Sequence, residues 1–209
     1  MLHKETISSQ TLELLIRLQQ KTYLKGFYLV GGTALALQLG HRTSIDIDLF
    51  SDFSFDTAYV LENLSADFGF TMFFSATNTL KGSINGVKID ILAHRYSQVS
   101  PPVILDKIAM LSSEDIIAMK LNAISVSGQR VKDFIDIYYL LKSYSVSDMI
   151  GFYKKKYALF NEVNVLKSLV WFEDIDLSDW PVLLQDPELK WAEIMKKIRM
   201  ETQKYLRKN

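Results

Sequence analysis

The chain has 209 residues, 48% of them hydrophobic and 12% aromatic, enough to bury the core of one sizeable domain and too apolar for a disordered segment. Lysine plus arginine and aspartate plus glutamate balance at 24 each, so total charge points to no polyanionic partner, and the absence of cysteine excludes disulfides and thiolate metal sites. No apolar run approaches the roughly 18 residues that cross a membrane, and the opening MLHKETISSQ lacks the apolar stretch of a signal peptide, so a cytoplasmic chain with no membrane partner is expected.

Ser8-Ser9 cap a first helix running to about Lys25, with Leu12, Leu15, Ile16 and Leu18 on its apolar side and Gly26 as its stop. FYLV (27–30) reads as a short buried strand, Gly31-Gly32 as a turn, and Thr33 to Leu39 as a helix ended by Gly40; His41 to Ser44 then form a loop. In the strand predicted from Ile45 to Phe50, alternation puts Ile45, Ile47 and Leu49 on one face and Asp46 and Asp48 on the other. A helix over about Thr57–Phe68 precedes two strand candidates, FTMFFS and TLKGSI. Asn85-Gly86 is a hairpin turn leading into the strand VKIDIL (87–92), which carries Asp90.

The character changes at Pro101-Pro102, beyond which almost only helices are predicted. Ser112 to Asp115 form a capping box for a helix over about 113–127, ended by Gly128. A second helix covers about 131–143, Ser147 caps a third, and the connection WFEDIDLSDWPVLLQDP leads to a final helix from Glu188 to Arg207. The expected architecture is α+β, with a small mixed sheet in residues 1–100, a helical domain in 101–209, and a cleft between them. The basic stretches Lys154-Lys155-Lys156 and KKIRMETQKYLRKN read as solvated helix faces.

Asp46 and Asp48 repel each other on one strand face, and Asp90 on a second strand can converge with them. Such a cluster of hard oxygens suits Mg²⁺, which takes its remaining ligands from water and phosphates. The alternative is that Asp46 caps a turn and Asp48 pairs with Arg42. Gly31-Gly32 precedes a helix N-terminus, where missing Cβ atoms and free N–H groups admit a phosphate. Thr33 either adds a hydroxyl donor there or caps the helix.

Two charged residues fall on apolar helix faces. At about 100° per residue, Lys120 lies between Ile116 and Ile124, and in the next helix Asp133 falls between Leu140 and Ile137, with Asp136 at the edge of that face. Lys120 and Asp133 form a buried ion pair, or Lys120 projects into a polar cavity. Arg130 and Lys132 contact phosphate or are surface charges, and His3 and His94 lack metal-site partners at useful spacing.

GGTALALQLGHRTSIDIDLF (31–50) resembles the active-site segment of the AbiEii/AbiGii toxin family, within the DNA polymerase β-like nucleotidyltransferase superfamily. SSEDIIAMKLNAI (112–124) and GQRVKDFIDIYYLL (128–141) resemble later motifs of that family, and Gly32-Thr33 departs from the Gly-Ser of many superfamily members. The resemblance implies a nucleotidyltransferase core in residues 1–100 and a Mg²⁺-dependent transfer of a nucleoside monophosphate from an NTP to a tRNA or protein hydroxyl. It also implies a cognate antitoxin or a phage-defence (abortive infection) setting. Asp46, Asp48 and Asp90 would then be catalytic and hold two Mg²⁺ ions. Lys120 would be both catalytic and nucleotide-binding, facing the phosphates while Asp133 and Asp136 orient it; Gly31, Gly32, Thr33, Arg130, Lys132, Asp133 and Asp136 would make up the nucleotide site with Arg42, whose role there is structural or phosphate-contacting. Other readings of the same aspartates are a non-catalytic module that binds a nucleotide or partner, and a metal-dependent phosphohydrolase.

Overall fold

A computed structural model describes residues 2–158 and 161–208. Among them, seven strands form one mixed sheet: β1 (Tyr28–Leu29), β2 (Ile47–Ser51), β3 (Thr71–Ala76), β4 (Thr79–Ile84), β5 (Val87–Ala93), β6 (Val103–Leu105) and β7 (Ile108–Met110). Their order across the sheet is β3-β4-β5-β2-β1-β7-β6. Around them lie α1 (Ser9–Gln19), α2 (Gly31–Leu39), α3 (Thr57–Phe68), α4 (Ser113–Val126), α5 (Val131–Leu140), α6 (Val146–Lys156), α7 (Glu162–Leu169) and α8 (Trp191–Leu206). This is the expected α+β class, and none of the described helices is long and apolar enough to cross a membrane.

The centre of the sheet follows from the alternation of β2 and β5. These strands run parallel with Ile47 opposite Ile89, Asp48 opposite Asp90 and Leu49 opposite Ile91. The four apolar residues are wholly buried and join Leu29, Leu35 and Leu37 in the core. β3, β4 and β5 form an antiparallel meander whose second turn is Asn85-Gly86, with Ile84 paired to Val87. α2 buries Ala34, Leu35, Ala36 and Leu37 completely, a helix apolar on nearly all sides because it packs against β2, α4 and α5 at once.

Several boundaries differ from the sequence reading. α2 starts at Gly31, so no separate Gly-Gly turn exists, and β1 shortens to two residues because Val30 is already the helix N-cap. α1 ends at Gln19, and Thr22–Leu24 form a 3₁₀ turn. β6 and β7 stand where only helices were expected; β7 joins the sheet parallel to β1 through Leu29 and Met110. Their hairpin turns on Asp106 and Lys107, at φ 50° and 68°, a left-handed conformation that lysine seldom signals in a sequence. Ser145, not Ser147, caps α6 through a reciprocal box with Asp148, and a further helix, α7, precedes the connection to α8.

The expected capping box at Ser112 is altered in an informative way. Ser112 Oγ accepts from the Asp115 N–H, but the Asp115 carboxylate turns away from the helix end. It accepts from the backbone N–H groups of Val99 and Ser100, from Ser112 Oγ, and from Lys156 Nζ at 2.7 Å. Burial alone pushes the Asp115 carboxyl up; Lys156 and the three hydrogen-bond donors outweigh it and hold the group below its ordinary value. Lys156 is therefore not on a solvated face but ties α6 to α4 as a buried ion pair. Replacing Lys156 by methionine should lower the unfolding free energy by about 3 kcal/mol at pH 7, the scale of stranding one member of such a pair. Urea denaturation measures the loss, and the double variant with Asp115→Asn should recover part of it.

Candidate active site

The parallel register of β2 and β5 sets Asp48 and Asp90 side by side on the sheet face opposite the core. Asp46 lies one residue before β2, and Ile45, expected on the apolar face, is 69% exposed, so the buried alternation begins only at Ile47. Burial, together with the neighbouring charges of Asp90 and Asp46, pushes the Asp48 carboxyl up to about 6. Asp90 is buried; its Oδ2 accepts from Lys81 Nζ at 2.8 Å, while its Oδ1 is buried with no hydrogen-bond partner.

The expected three-carboxylate cage is not preassembled: among the described residues no group of three His, Asp or Glu side chains is already placed to hold a metal ion. The reason is physical. Asp46 sits outside the strand, and Asp90 is drawn to Lys81 while its neighbour Asp48 is half-buried and crowded by like charge. The donor set nevertheless suits a hard cation: an orphaned carboxylate oxygen and a repelled neighbouring carboxylate are both relieved by a divalent ion and by nothing apolar.

The two glycines make room for this arrangement. A Cβ on Gly31, which adopts φ +69°, would stand 2.7 Å from Asp48 Oδ2, and one on Gly32 would run into the Arg42 guanidinium. The glycine pair thus lets a carboxylate and a guanidinium lie against the first turn of α2, whose leading N–H groups have no partner within the helix.

Thr33 does not cap α2, and its hydroxyl bonds within the protein. It is buried, donates to the Asp46 carbonyl at 2.5 Å and bonds Ser44 Oγ at 2.8 Å, which fixes the approach to β2. Thr33 nevertheless lies in the lining of the cleft with Gly31 and Gly32.

Asp136 is wholly buried, gathers three cationic or polar partners, and reaches the cleft only through Lys120 and Arg42. Arg42 Nε and Nη2 donate to its two oxygens at 2.7 and 3.0 Å, His41 Nε2 stands at 2.8 Å, and Lys120 Nζ at 2.6 Å. Burial would raise the Asp136 carboxyl; Arg42 and Lys120 overcome it and hold the group well below the ordinary value. Burial pushes His41 down, so it is neutral and donates its Nε2 proton. Arg42 therefore pairs with Asp136 rather than Asp48, and it also lines the cleft beside Gly32.

Both readings of Lys120 find support. Its ammonium lies 2.5 Å from Asp133 and is buried, and its charged state is reinforced: burial lowers its pKa, but Asp133 and Asp136 raise it more. Asp133 is buried beside it and accepts its hydrogen bond. Lys120 also lines a cleft of about 180 Å³ with Gly31, Gly32, Asp46, Asp48 and Arg130. Lys132 stands at the same cleft, bonded to Asp179 at 2.6 Å, and Arg130 is exposed there. A second cavity of about 280 Å³ shares Gly31, Asp48 and Lys120 and extends past Asp90 to Phe50, His94 and Tyr157.

Two wall residues were missed in the sequence. His94 bonds the Tyr157 hydroxyl at 3.1 Å and is pushed down to about 4 by burial and by Lys156, so it is neutral. Lys81 had a usable signal: a two-residue turn at Asn85-Gly86 pairs Ile84 with Val87 and, counting back, Lys81 with Asp90.

An acid with a raised folded pKa binds its proton more tightly in the native state, so stability falls as pH rises from about 4 to about 6 and stays lower above. In metal-free protein at pH 7.5, Asp48→Asn should therefore raise stability by of the order of 2 kcal/mol, with the gain gone near pH 4. Melting curves across that range test it.

The geometry has relatives. The chain is 28% identical over 186 residues to the uncharacterized protein aq_aa25 of Aquifex aeolicus (strain VF5), covering 86% of this chain and 88% of that protein. Its fold is similar to MenT4, the nucleotidyltransferase toxin Rv2826c from Mycobacterium tuberculosis H37Rv, with a TM-score of 0.64 at 16% identity over 92% of this chain and 80% of that one. JHP933 from Helicobacter pylori matches with a TM-score of 0.56 at 17% identity, over 97% and 94% of the two chains. Across residues 13–208 the sequence matches the family described as nucleotidyl transferase AbiEii toxin, type IV TA system, and the chain belongs to that family of nucleotidyltransferase toxins.

Proposed function

We propose that this chain moves a nucleoside monophosphate from an NTP to a hydroxyl of RNA, tRNA in particular, or of a protein, as the toxin opposed by a cognate antitoxin. The observation that carries the reading is the Asp48–Asp90 pair, in register on neighbouring parallel strands beside the N-terminus of α2, with one buried carboxylate oxygen unpartnered. Asp46, Asp48 and Asp90 supply the hard oxygens that would hold Mg²⁺, as one ion or as two. When bound, the metal supplies Lewis-acid charge at the reacting phosphate.

The chain's own groups do the rest. The free N–H groups and dipole of the first turn of α2 receive the triphosphate. A lysine ammonium has three N–H donors; Asp133 and Asp136 orient Lys120 with two, and the third faces the leaving pyrophosphate. Arg130 and Lys132 add positive charge at the rim. The acceptor oxygen bonds to the α-phosphorus as the α–β anhydride bond breaks, and Asp90 takes the hydroxyl proton.

Incubation with α-labelled NTPs, Mg²⁺ and either total RNA or a lysate tests this. Label should move to a macromolecule, and Asp46→Asn or Asp48→Asn should abolish transfer while circular dichroism stays unchanged. Label found only on NDP or NMP would indicate a phosphohydrolase, and tight NTP binding without turnover a binding module. Arg130→Gln should raise KM for the NTP several-fold, about the effect of one exposed charge, with kcat little changed.

A further inference from the structure

Lys81 projects from β4 directly across from Asp90, its cross-strand partner in the antiparallel pairing of β4 with β5. Its ammonium lies 2.8 Å from Asp90 Oδ2, and it lines the larger cavity together with Asp48 and Asp90. The two partners differ in accessibility: the Asp90 side chain is 9% exposed and the Lys81 side chain 40%. Lys81 thus reaches a buried carboxylate from the solvent side. The other cations of the site are built differently. Lys120 is buried between two carboxylates, and Arg42 is forked onto Asp136, so neither can leave without stranding charge in the interior. Lys81 can swing into water and keep its hydration. Lys88 also approaches Asp90 Oδ2, but only to 4.0 Å, and it is more exposed.

The ammonium occupies the carboxylate edge that a divalent ion needs, yet it leaves Asp90 Oδ1 without a partner and Asp48 still repelled by Asp90. It is a partial substitute for a cation of higher charge. We propose that Lys81 is a displaceable latch: it holds Asp90 in the metal-free protein and must be expelled toward solvent before Asp90 can join Asp48 around a divalent ion. The inference rests on the metal-dependent nucleotidyltransfer reading and adds to it a residue that sets how readily the site loads. Metal binding is then a competition with a side chain of the protein itself, and the freed ammonium stays at the mouth of the cavity where phosphates enter.

The test uses Mn²⁺ as the probe, titrated without nucleotide into the full chain, with free ion counted by electron paramagnetic resonance. Lys81→Met should bind Mn²⁺ about fivefold tighter than the native sequence, the upper range for releasing a half-exposed ion pair. Lys88→Met removes the same charge without a direct bond and should tighten binding less than twofold, and Lys81→Arg should leave it near the native value. Circular dichroism confirms that each variant is folded. Equal gains from Lys81→Met and Lys88→Met, or no gain from Lys81→Met, overturn the latch; they leave the nucleotidyltransfer reading standing so long as Asp48→Asn abolishes Mn²⁺ binding. Binding that survives Asp48→Asn, or no binding in any variant, overturns both.

Discussion

The Asp136 carboxylate, wholly buried, grips three residues from two separate parts of the chain: His41 and Arg42 between α2 and β2, and Lys120 on α4. An isolated carboxylate in that position would lose its charge or unfold its surroundings; here two cations and a neutral imidazole keep it ionised. The consequences run outward. Arg42, pinned by a two-pronged bond, occupies the space where Gly32 would otherwise carry a Cβ. Arg42 Nη1 also holds the Thr43 carbonyl, and Ser44 and Asp46 are tied to Thr33, so the entry to β2 is fixed before the strand begins. Asp48 then follows in register with Asp90 because β2 has nowhere else to start.

That network balances two positive charges, Arg42 and Lys120, against two negative ones, Asp133 and Asp136, and both lysine and arginine lie at the cleft floor. A rigid, internally neutral floor can present one ammonium N–H to a ligand without rearranging, which is the arrangement that stabilises developing charge most effectively. The carboxylate side of the site is the opposite. Asp48 and Asp90 are crowded and incompletely satisfied, a local instability that packing elsewhere tolerates and that a divalent ion relieves. Paired charge and unsatisfied charge are thus separated between the two walls of one cleft.

Much of this was legible in the residues. The two-residue period of IDIDL separated Asp48 from the core, and the apolar arc around Lys120 and Asp133 marked two charges that had to be buried and paired. The Asn85-Gly86 turn is enough to place Lys81 opposite Asp90. Less legible were Thr33 and Asp136, whose polar atoms are consumed by partners 13 and 94 or 95 residues away. Lys156 read as one of three solvated lysines because nothing near it in sequence names Asp115, 41 residues distant. The β6–β7 hairpin escaped because Lys107 carries no turn signal and three-residue strands are too short to show a period.

The sequence by itself determined which faces are apolar, where most helices begin and end, and which charged residues cannot be left in solvent. These are local properties, set by repeat period, cap chemistry and backbone freedom. The tertiary structure decided which buried charge meets which partner, and therefore which residues remain open to a ligand. Pairing depends on the packing of α2, α4 and α5 against one another, and a periodic pattern fixes the direction of a side chain but not the group it will meet there.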